Sequence, residues 1–331
     1  MDAPDSRNAA DPRAAQAFAW ALGALGLATA EFAPASADAS FRRYFRIAAG
    51  GRSWIVMDAP PQLEDCRPFL RVGELLRQAG VHVPAIHAQD LGAGFLLLSD
   101  LGRQTYLEVI GEANADAMFD RAIAALVAWQ SASRPGVLPE YDEALLRREL
   151  QLFPDWYLGR HLGVTLPAPR RQQLEQVFEQ LVAAALAQPR VYVHRDYMPR
   201  NLMVSVPDPG VLDFQDAVYG PLAYDPICLF KDAFLSWPAE RIEQWLARYH
   251  EHAAAAGLPV PPWQQFRRDC DWIGVQRHLK VLGIFARLTH RDGKPKYVAD
   301  TPRFVRYVLE VAPRYPELAP LTGFLAADAG A

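Results

Sequence analysis

The sequence predicts an α+β protein of two lobes, a small β-rich lobe over residues 1–100 and a larger helical lobe over residues 101–331. Three observations predict it. From Glu31 to Asp100 the pattern alternates with period two between tight turns, as half-buried strands require. From about residue 116 onward helical periodicity takes over. A short β island at Val191–Val193, Leu202–Val206 and Val211–Phe214 then interrupts the helices. With 331 residues, 51% of them hydrophobic and 22% charged, the chain is long enough to fill two cores.

The elements follow in order. Ala14 to Ala30 is uncharged, and Ala28-Thr29-Ala30 would suit a cleavage site. Its flank carries Asp2, Asp5 and Asp11 against Arg7 and Arg13, whereas a secretory leader begins positive. The segment is also short for a membrane span, so it is expected as a helix packed on the first lobe. Phe41, Arg43, Phe45 and Ile47 alternate with Arg42, Tyr44 and Arg46 on one strand, and Ala49-Gly50-Gly51 turns it into the partner Trp54–Met57. Pro68 to Gly80 reads as a helix with Phe69, Val72, Leu75, Leu76 and Ala79 on one stripe and Gly80 as its stop. Phe95–Leu98 is a short buried strand, and Ser99-Asp100-Leu101-Gly102 is a hinge. Residues 116–130, 142–161 and 171–187 are expected as helices, and helices resume from about Pro238.

Composition narrows the function. A net charge of −4 and a pI near 6.1 give no electrostatic reason to bind nucleic acid. Cys66, Cys228 and Cys270 form no CxxC pair, which excludes a zinc module, argues against disulfides and fits a reducing cytoplasm. The lysines are Lys231, Lys280, Lys294 and Lys296, and every other cation is arginine. Gly293-Lys294 is followed by Pro295, so no phosphate-binding G-K-[ST] loop exists, and no G-x-S-x-G elbow is present.

The informative run is His194-Arg195-Asp196, with Asn201 five residues after the aspartate, then a hairpin around Pro207–Gly210, then Asp213-Phe214-Gln215-Asp216. An aspartate after a strand sits in a loop. Asn201 opens one arm of the hairpin and Asp213 closes the other, so folding at Pro209-Gly210 brings two oxygen ligands to a separation that one hard cation bridges. Phosphoryl transfer needs these parts: a carboxylate to orient the attacking hydroxyl and Mg²⁺ ligands to offset phosphate charge.

These residues resemble the aminoglycoside phosphotransferase/choline kinase superfamily, relatives of the protein kinases. The resemblance implies a protein-kinase-like fold using ATP and Mg²⁺, with Asp196 as catalytic base or orienter and Asn201 and Asp213 as metal ligands. It implies that His194 organises the loop, that Asp225 braces it, and that Ser99 and Leu101 of the hinge meet the nucleotide. Further blocks, Asp38–Arg46, Val56–Pro61, Leu97–Gly102, Glu149–Tyr157 and Val275–Arg287, look like one subfamily, the bacterial anomeric kinases of cell-wall sugar recycling. That likeness implies a small-molecule sugar substrate, N-acetylmuramate or N-acetylglucosamine, phosphorylated at C1. Glu149, Asp155, Arg277 and His278 are its implied sugar contacts.

The chain departs from the kinase pattern at one point. Protein kinases hold the phosphates with a third-strand lysine paired to a helix glutamate. No lysine precedes Lys231, and Met57 or a neighbour stands there instead. Arg42 and Arg46, on one strand face beside an expected phosphate loop at Ser36–Ser40, can substitute because arginine grips phosphate bidentately; a solvated basic strand face is the equal alternative. Small residues there, Ser40 among them, would let backbone N–H groups approach phosphate. Glu74 stands where the helix glutamate would be, or on a solvated face. His250 and His252, at i,i+2, do not face together as metal ligands. Trp156, Tyr157, Trp263 and Trp272 could stack on a sugar but are more often core. Competing functions are another kinase of the superfamily, acting on an aminoglycoside, choline-like or amino-acid hydroxyl, and a nucleotide-binding pseudokinase, which the missing lysine alone supports.

Overall fold

The computed structural model describes residues 11–37 and 41–325. Helix α1 (Pro12–Leu25) starts where the Asp11 carboxylate accepts the N–H groups of Arg13 and Ala14, at 3.1 and 3.0 Å, and stops at Gly26, whose φ is +64°. Its small residues Ala17 and Ala21 let it lie close on the sheet, against Phe45, Ile47, Val56, Phe95 and Leu97. This is the packed helix expected from the uncharged segment. No helix among the described residues is long and apolar enough to cross a membrane.

Strands β1 (Glu31–Ala37), β2 (Arg43–Ala49) and β3 (Arg52–Asp58) form a meander, and β4 (Ile86–Asp90) and β5 (Phe95–Ser99) complete one antiparallel sheet in the order β1-β2-β3-β5-β4. The β2–β3 turn takes Gly50 and Gly51 at φ +58° and +74°, the twist a two-residue hairpin needs. Register pairs Arg46 with Ile55 and Tyr44 with Met57. Alternation then sends Phe45, Ile47 and Val56 to α1, while Tyr44, Arg46 and Ile55 face the other way. Helix α2 (Arg67–Gln78) covers that second face with Phe69, Val72 and Leu76.

After the hinge at Ser99–Gly102 come α3 (Tyr106–Val109), α4 (Ala115–Ser131) and α5 (Glu143–Leu150). The helix expected over 142–161 is interrupted: Phe153–His161 is a π-helix. Pro154 brings no N–H to the α ladder there. The long helix over Trp263–His290 also crosses so closely that a Cβ on Gly283 would lie 2.4 Å from the Leu152 backbone. Next are α6 (Ala168–Ala187) and β6 (Arg190–Val193), then the two-residue arms β7 (Leu202–Met203) and β8 (Gly210–Val211). The hairpin is thus shorter than the island read from sequence. Strand β9 (Val218–Pro221), unexpected from sequence, pairs with β6. Helices α7 (Tyr224–Phe230), α8 (Ala239–Ala255), α9 (Trp263–His290), α10 (Thr301–Val311) and α11 (Thr322–Leu325) complete the lobe. One continuous core runs from Met57 and Leu96 in the sheet through α4, α6 and α9. All three cysteines are free and buried within the fold.

Candidate active site

The loop that carries Asp196 leaves β6 at His194. Burial pushes the His194 pKa down to about 4, so the ring is neutral. Its Nε2 lies 3.0 Å from the Leu212 carbonyl and its Nδ1 3.3 Å from the Asp196 N–H. Nε2 therefore carries the proton and Nδ1 accepts, and one ring ties the loop to the far arm of the hairpin. Asp225, fully buried at the start of α7, accepts the His194 and Arg195 N–H groups at 2.7 and 3.0 Å. Desolvation raises its pKa to about 7 although both N–H bonds favour the carboxylate. Those two bonds hold Arg195 at φ +76°, a conformation that non-glycine residues adopt only when held.

Arg195 projects away from the cavity into a closed charge cluster. Glu149 of α5 is 4% exposed, and each of its oxygens has two donors. Oε1 takes Arg195 and the Lys280 ammonium, the latter at 3.1 Å. Oε2 takes the Tyr141 hydroxyl and the Gln276 amide, the latter at 3.2 Å. Burial alone would raise the Glu149 pKa, but Lys280 and Arg195 outweigh it and hold the carboxyl down at about 2. Lys280 also donates to the Tyr224 hydroxyl at 3.0 Å.

The hairpin folds Asn201 and Asp213 together. Asn201 ends the 3₁₀ turn Pro199–Asn201, and its Nδ2 donates to the Asp196 carbonyl at 2.9 Å and lies 3.3 Å from Asp213 Oδ2. The bond to the Asp196 carbonyl fixes which end of the amide is nitrogen, leaving Oδ1 as the available ligand. Asp213 adopts φ +61° just past β8 and accepts Gln215 Nε2 at 2.9 Å. Phe214 then inserts under α2, its ring 4.7 Å from Phe69 and so near Gly73 that a Cβ there would sit 3.2 Å away. An amide oxygen beside a carboxylate is a hard-donor pair suited to Mg²⁺, which takes few protein ligands and completes its shell with water and phosphate oxygens. No group of three or more His, Cys, Asp or Glu side chains able to hold a metal occurs among the described residues. The residues therefore fit a metal that arrives with a nucleotide and not a permanent metal cage.

These groups line a cavity of about 530 Å³ between sheet and helices. One end is walled by Tyr44, Arg46, Ile55, Leu98 and the hinge residues Ser99, Asp100, Leu101 and Gly102, with Met203 and Leu212 opposite. Asp196, Asn201 and Asp213 lie on its wall, and the other end is walled by Phe234, Arg277, Lys280, Val281, Ile284, Phe285 and Tyr297. Arg46 grips Asp100 with two bonds, at 2.6 and 3.0 Å, and the Gly102 carbonyl at 2.7 Å. Burial would raise the Asp100 carboxyl, but Arg46 and Ser53 hold it below its ordinary value.

Of the residues singled out in the sequence, Asp196, Asn201, Asp213, Arg46, Ser99, Leu101 and Arg277 are brought to this one cavity. Ser40 lies outside the described residues. Arg42 does not line the cavity: it ion-pairs with Glu64 at 3.0 Å, 9% exposed. Glu149 sits behind the wall, enclosed by its four donors. Asp155, on the π-helix, is exposed and accepts from Gln151, because the wide π turns carry it around to the surface. His278 does not line the cavity: its ring packs in the helical core, 5.0 Å from Tyr307 and 5.6 Å from Phe304, on the flank of the cavity-lining stripe of α9. Glu74 pairs with Arg77 and Gln78 on the exposed face of α2. Lys280 was missed. Its signal was present, a lysine three residues after Arg277 in a helix where almost no cation is lysine.

A cleft that joins an aspartate-bearing loop, an Asn–Asp pair and an open acceptor end defines a phosphotransferase that uses a hydroxyl acceptor. The chain belongs to the phosphotransferase enzyme family, whose profile matches residues 31–263. It is 62% identical over 298 residues to the N-acetylmuramate/N-acetylglucosamine kinase of Pseudomonas aeruginosa, covering 90% of this chain and 88% of that one. The protein of the same name from Caulobacter vibrioides is 32% identical over 327 residues, covering 86% and 88%. Among solved structures, choline kinase LicA from Streptococcus pneumoniae superposes with a TM-score of 0.64 at 14% identity, covering 90% of this chain and 99% of that one. ADP-bound aminoglycoside phosphotransferase APH(2″)-Ib gives 0.60 at 14%, covering 88% and 97%. The fold is the protein-kinase-like one expected from the motif.

Proposed function

We propose that the protein transfers the γ-phosphoryl group of ATP to the anomeric hydroxyl of N-acetylmuramate and N-acetylglucosamine in the cytoplasm, where ATP is made. The observation that carries the reading is the convergence of Asp196, Asn201 and Asp213 on one cavity that also has a separate, cation-bearing acceptor end. The names of relatives 62% and 59% identical supply the acceptor.

Residues 1–100 form the nucleotide side, with the adenine slot between Tyr44, Ile55 and Leu98 above and Met203 and Leu212 below. The Leu101 peptide, which has no hydrogen-bond partner among the described residues, is available to the base at the hinge. Arg46 lies at the phosphate end. Residues 101–331 carry the catalytic loop and the acceptor wall. Asp196 accepts the proton of the acceptor hydroxyl as its oxygen bonds to the γ-phosphorus, while the bond from that phosphorus to the β-phosphate oxygen breaks and ADP leaves. Asn201 and Asp213 would hold Mg²⁺, which offsets charge on the phosphate oxygens. His194 and Asp225 keep the loop's shape without touching the reacting atoms.

The test is to incubate the purified protein with ATP, Mg²⁺ and a panel of free sugars and detect phosphosugar by mass. A product from either amino sugar whose phosphate is lost in mild acid, as an anomeric ester requires, is expected. Turnover of choline or an aminoglycoside with no turnover of either sugar refutes the reading.

A further inference from the structure

Two cations on α9 stand at the acceptor end of the cavity, and one has no acid of its own. Arg277 is 2% exposed and still forms part of the cavity wall. Its hydrogen bond to protein, 3.3 Å from Nη1 to the Lys231 carbonyl, engages one N–H of five. No carboxylate among the described residues lies within ion-pair distance of it. Asp196 and Asp232 act on it through space, but Asp196 faces the reacting end of the cavity, and Asp232 is buried with one oxygen committed to the Ala233 N–H at 2.6 Å. Lys280, three residues on, shares the same helix face. Its partner Glu149 is already shared with Arg195. Two cations thus share the Glu149 carboxylate, and Arg277 stands beside them with no ion pair of its own among the described residues.

A guanidinium buried without a directly paired carboxylate is costly unless a ligand completes it. The phosphate side of the cavity has its own groups in Asn201, Asp213 and Arg46. Beyond Arg277 and Lys280 the α9 stripe continues into Val281, Ile284 and Phe285, an apolar wall suited to a sugar's methyl-bearing substituents and not to phosphate. A planar fork matches a carboxylate with two parallel bonds. We propose that Arg277, with Lys280 beside it, binds a carboxylate carried by the acceptor sugar and so sets the preference for an acidic amino sugar over a neutral one. This rests on the sugar-kinase reading above.

The experiment compares kcat/KM for N-acetylmuramate and for its neutral carboxamide, on the wild-type protein and on Arg277→Gln, with N-acetylglucosamine as a second neutral acceptor. On the wild type, replacing the acid by the amide is expected to lower kcat/KM about 10- to 100-fold, the worth of a charge-assisted hydrogen-bond pair. On Arg277→Gln the acid and the amide should differ by no more than about twofold. An amide as good as the acid on the wild type overturns the proposal, and that comparison needs no variant, so a misfolded Arg277→Gln does not shield it. Equal losses for acid, amide and N-acetylglucosamine in the variant also overturn it, because the fork then serves the transferred phosphoryl group. A wild type that phosphorylates neither sugar refutes the function itself and this inference with it.

Discussion

Glu149→Gln separates two roles for a residue that the sequence suggests as a sugar contact. The structure surrounds its carboxylate with Arg195, Lys280, Tyr141 and Gln276, and all four lone-pair directions are occupied. Glutamine keeps the shape but removes the charge facing two buried cations, and its NH₂ points donors at donors. Breaking a buried pair from one side costs about 3–5 kcal/mol. For a chain of 331 residues the unfolding entropy is about 0.7 kcal/mol/K, so the melting temperature should fall by about 4–7 °C. Arg195 precedes Asp196 and is held at φ +76°, so releasing its guanidinium shifts the catalytic loop. Misplacing the carboxylate by about 1 Å lowers kcat about 10²-fold with the sugar KM nearly constant. The pH dependence has a definite sign. A carboxyl held at about 2 contributes stability that is fully present above its unfolded value of 4.5 and is lost as the pH falls towards 2, so the variant should lose less stability than the wild type across that window. Thermal melts at pH 7 and pH 3 with steady-state kinetics check this. A melting temperature within 1–2 °C of wild type at pH 7, with a raised sugar KM and normal kcat, would falsify the buried-anchor reasoning and return Glu149 to the acceptor.

Three further outcomes are expected. Asp196→Asn should retain nucleotide affinity and lose about 10²–10⁴-fold in kcat, measured by steady-state kinetics and ADP titration; a near-normal rate removes it from the chemistry. Asp213→Ala should abolish the Mg²⁺ dependence of nucleotide binding and Asn201→Ala should weaken it, read by calorimetric titration with and without metal; unchanged isotherms in both move the metal elsewhere. Arg46→Ala should raise the KM for ATP and also destabilise the hinge by stranding Asp100. In Arg46→Ala/Asp100→Ala the melting temperature should recover while the KM stays high, and joint recovery of both would make Arg46 structural.

What was legible in the sequence followed from pattern. The Phe69/Val72/Leu76 stripe gave α2, and Asp196, Asn201 and Asp213 meet at one wall because their spacing is local. What was hidden depended on three-dimensional partners. Val218–Pro221 contains Gly220 and Pro221, both poor strand formers, and is a strand because β6 offers it an edge. The π-helix at Phe153–His161 follows from Pro154 and the passage of Gly283, and no local spacing announces the latter. Glu149 looks like any surface acid on an amphipathic helix. Its burial is set by Arg195, Lys280 and Tyr141, which approach from other elements.

The candidate replacement for the missing lysine is likewise visible only in space. In protein kinases the phosphate-holding cation is on the third strand and its acid on the neighbouring helix. Here the cavity-facing residue of β3 is Ile55, Met57 is core, and Glu74 of α2 faces solvent. The residue directly across the ladder from Ile55 is Arg46, one strand over on β2. Its carboxylate partner is Asp100 of the hinge. If Arg46 holds the phosphates as proposed, both halves of the pair have moved together, since a cation facing inward from β2 can reach the end of β5 across the sheet. The mechanical consequence differs from the protein-kinase arrangement. There an ion pair latches the helix to the sheet. Here the ion pair latches the sheet to the hinge, and α2 is joined to the catalytic segment by the packing of Phe69 and Gly73 on Phe214. The contact of α2 with that segment is therefore an apolar fit, which salt does not screen, while the hinge carries the charge.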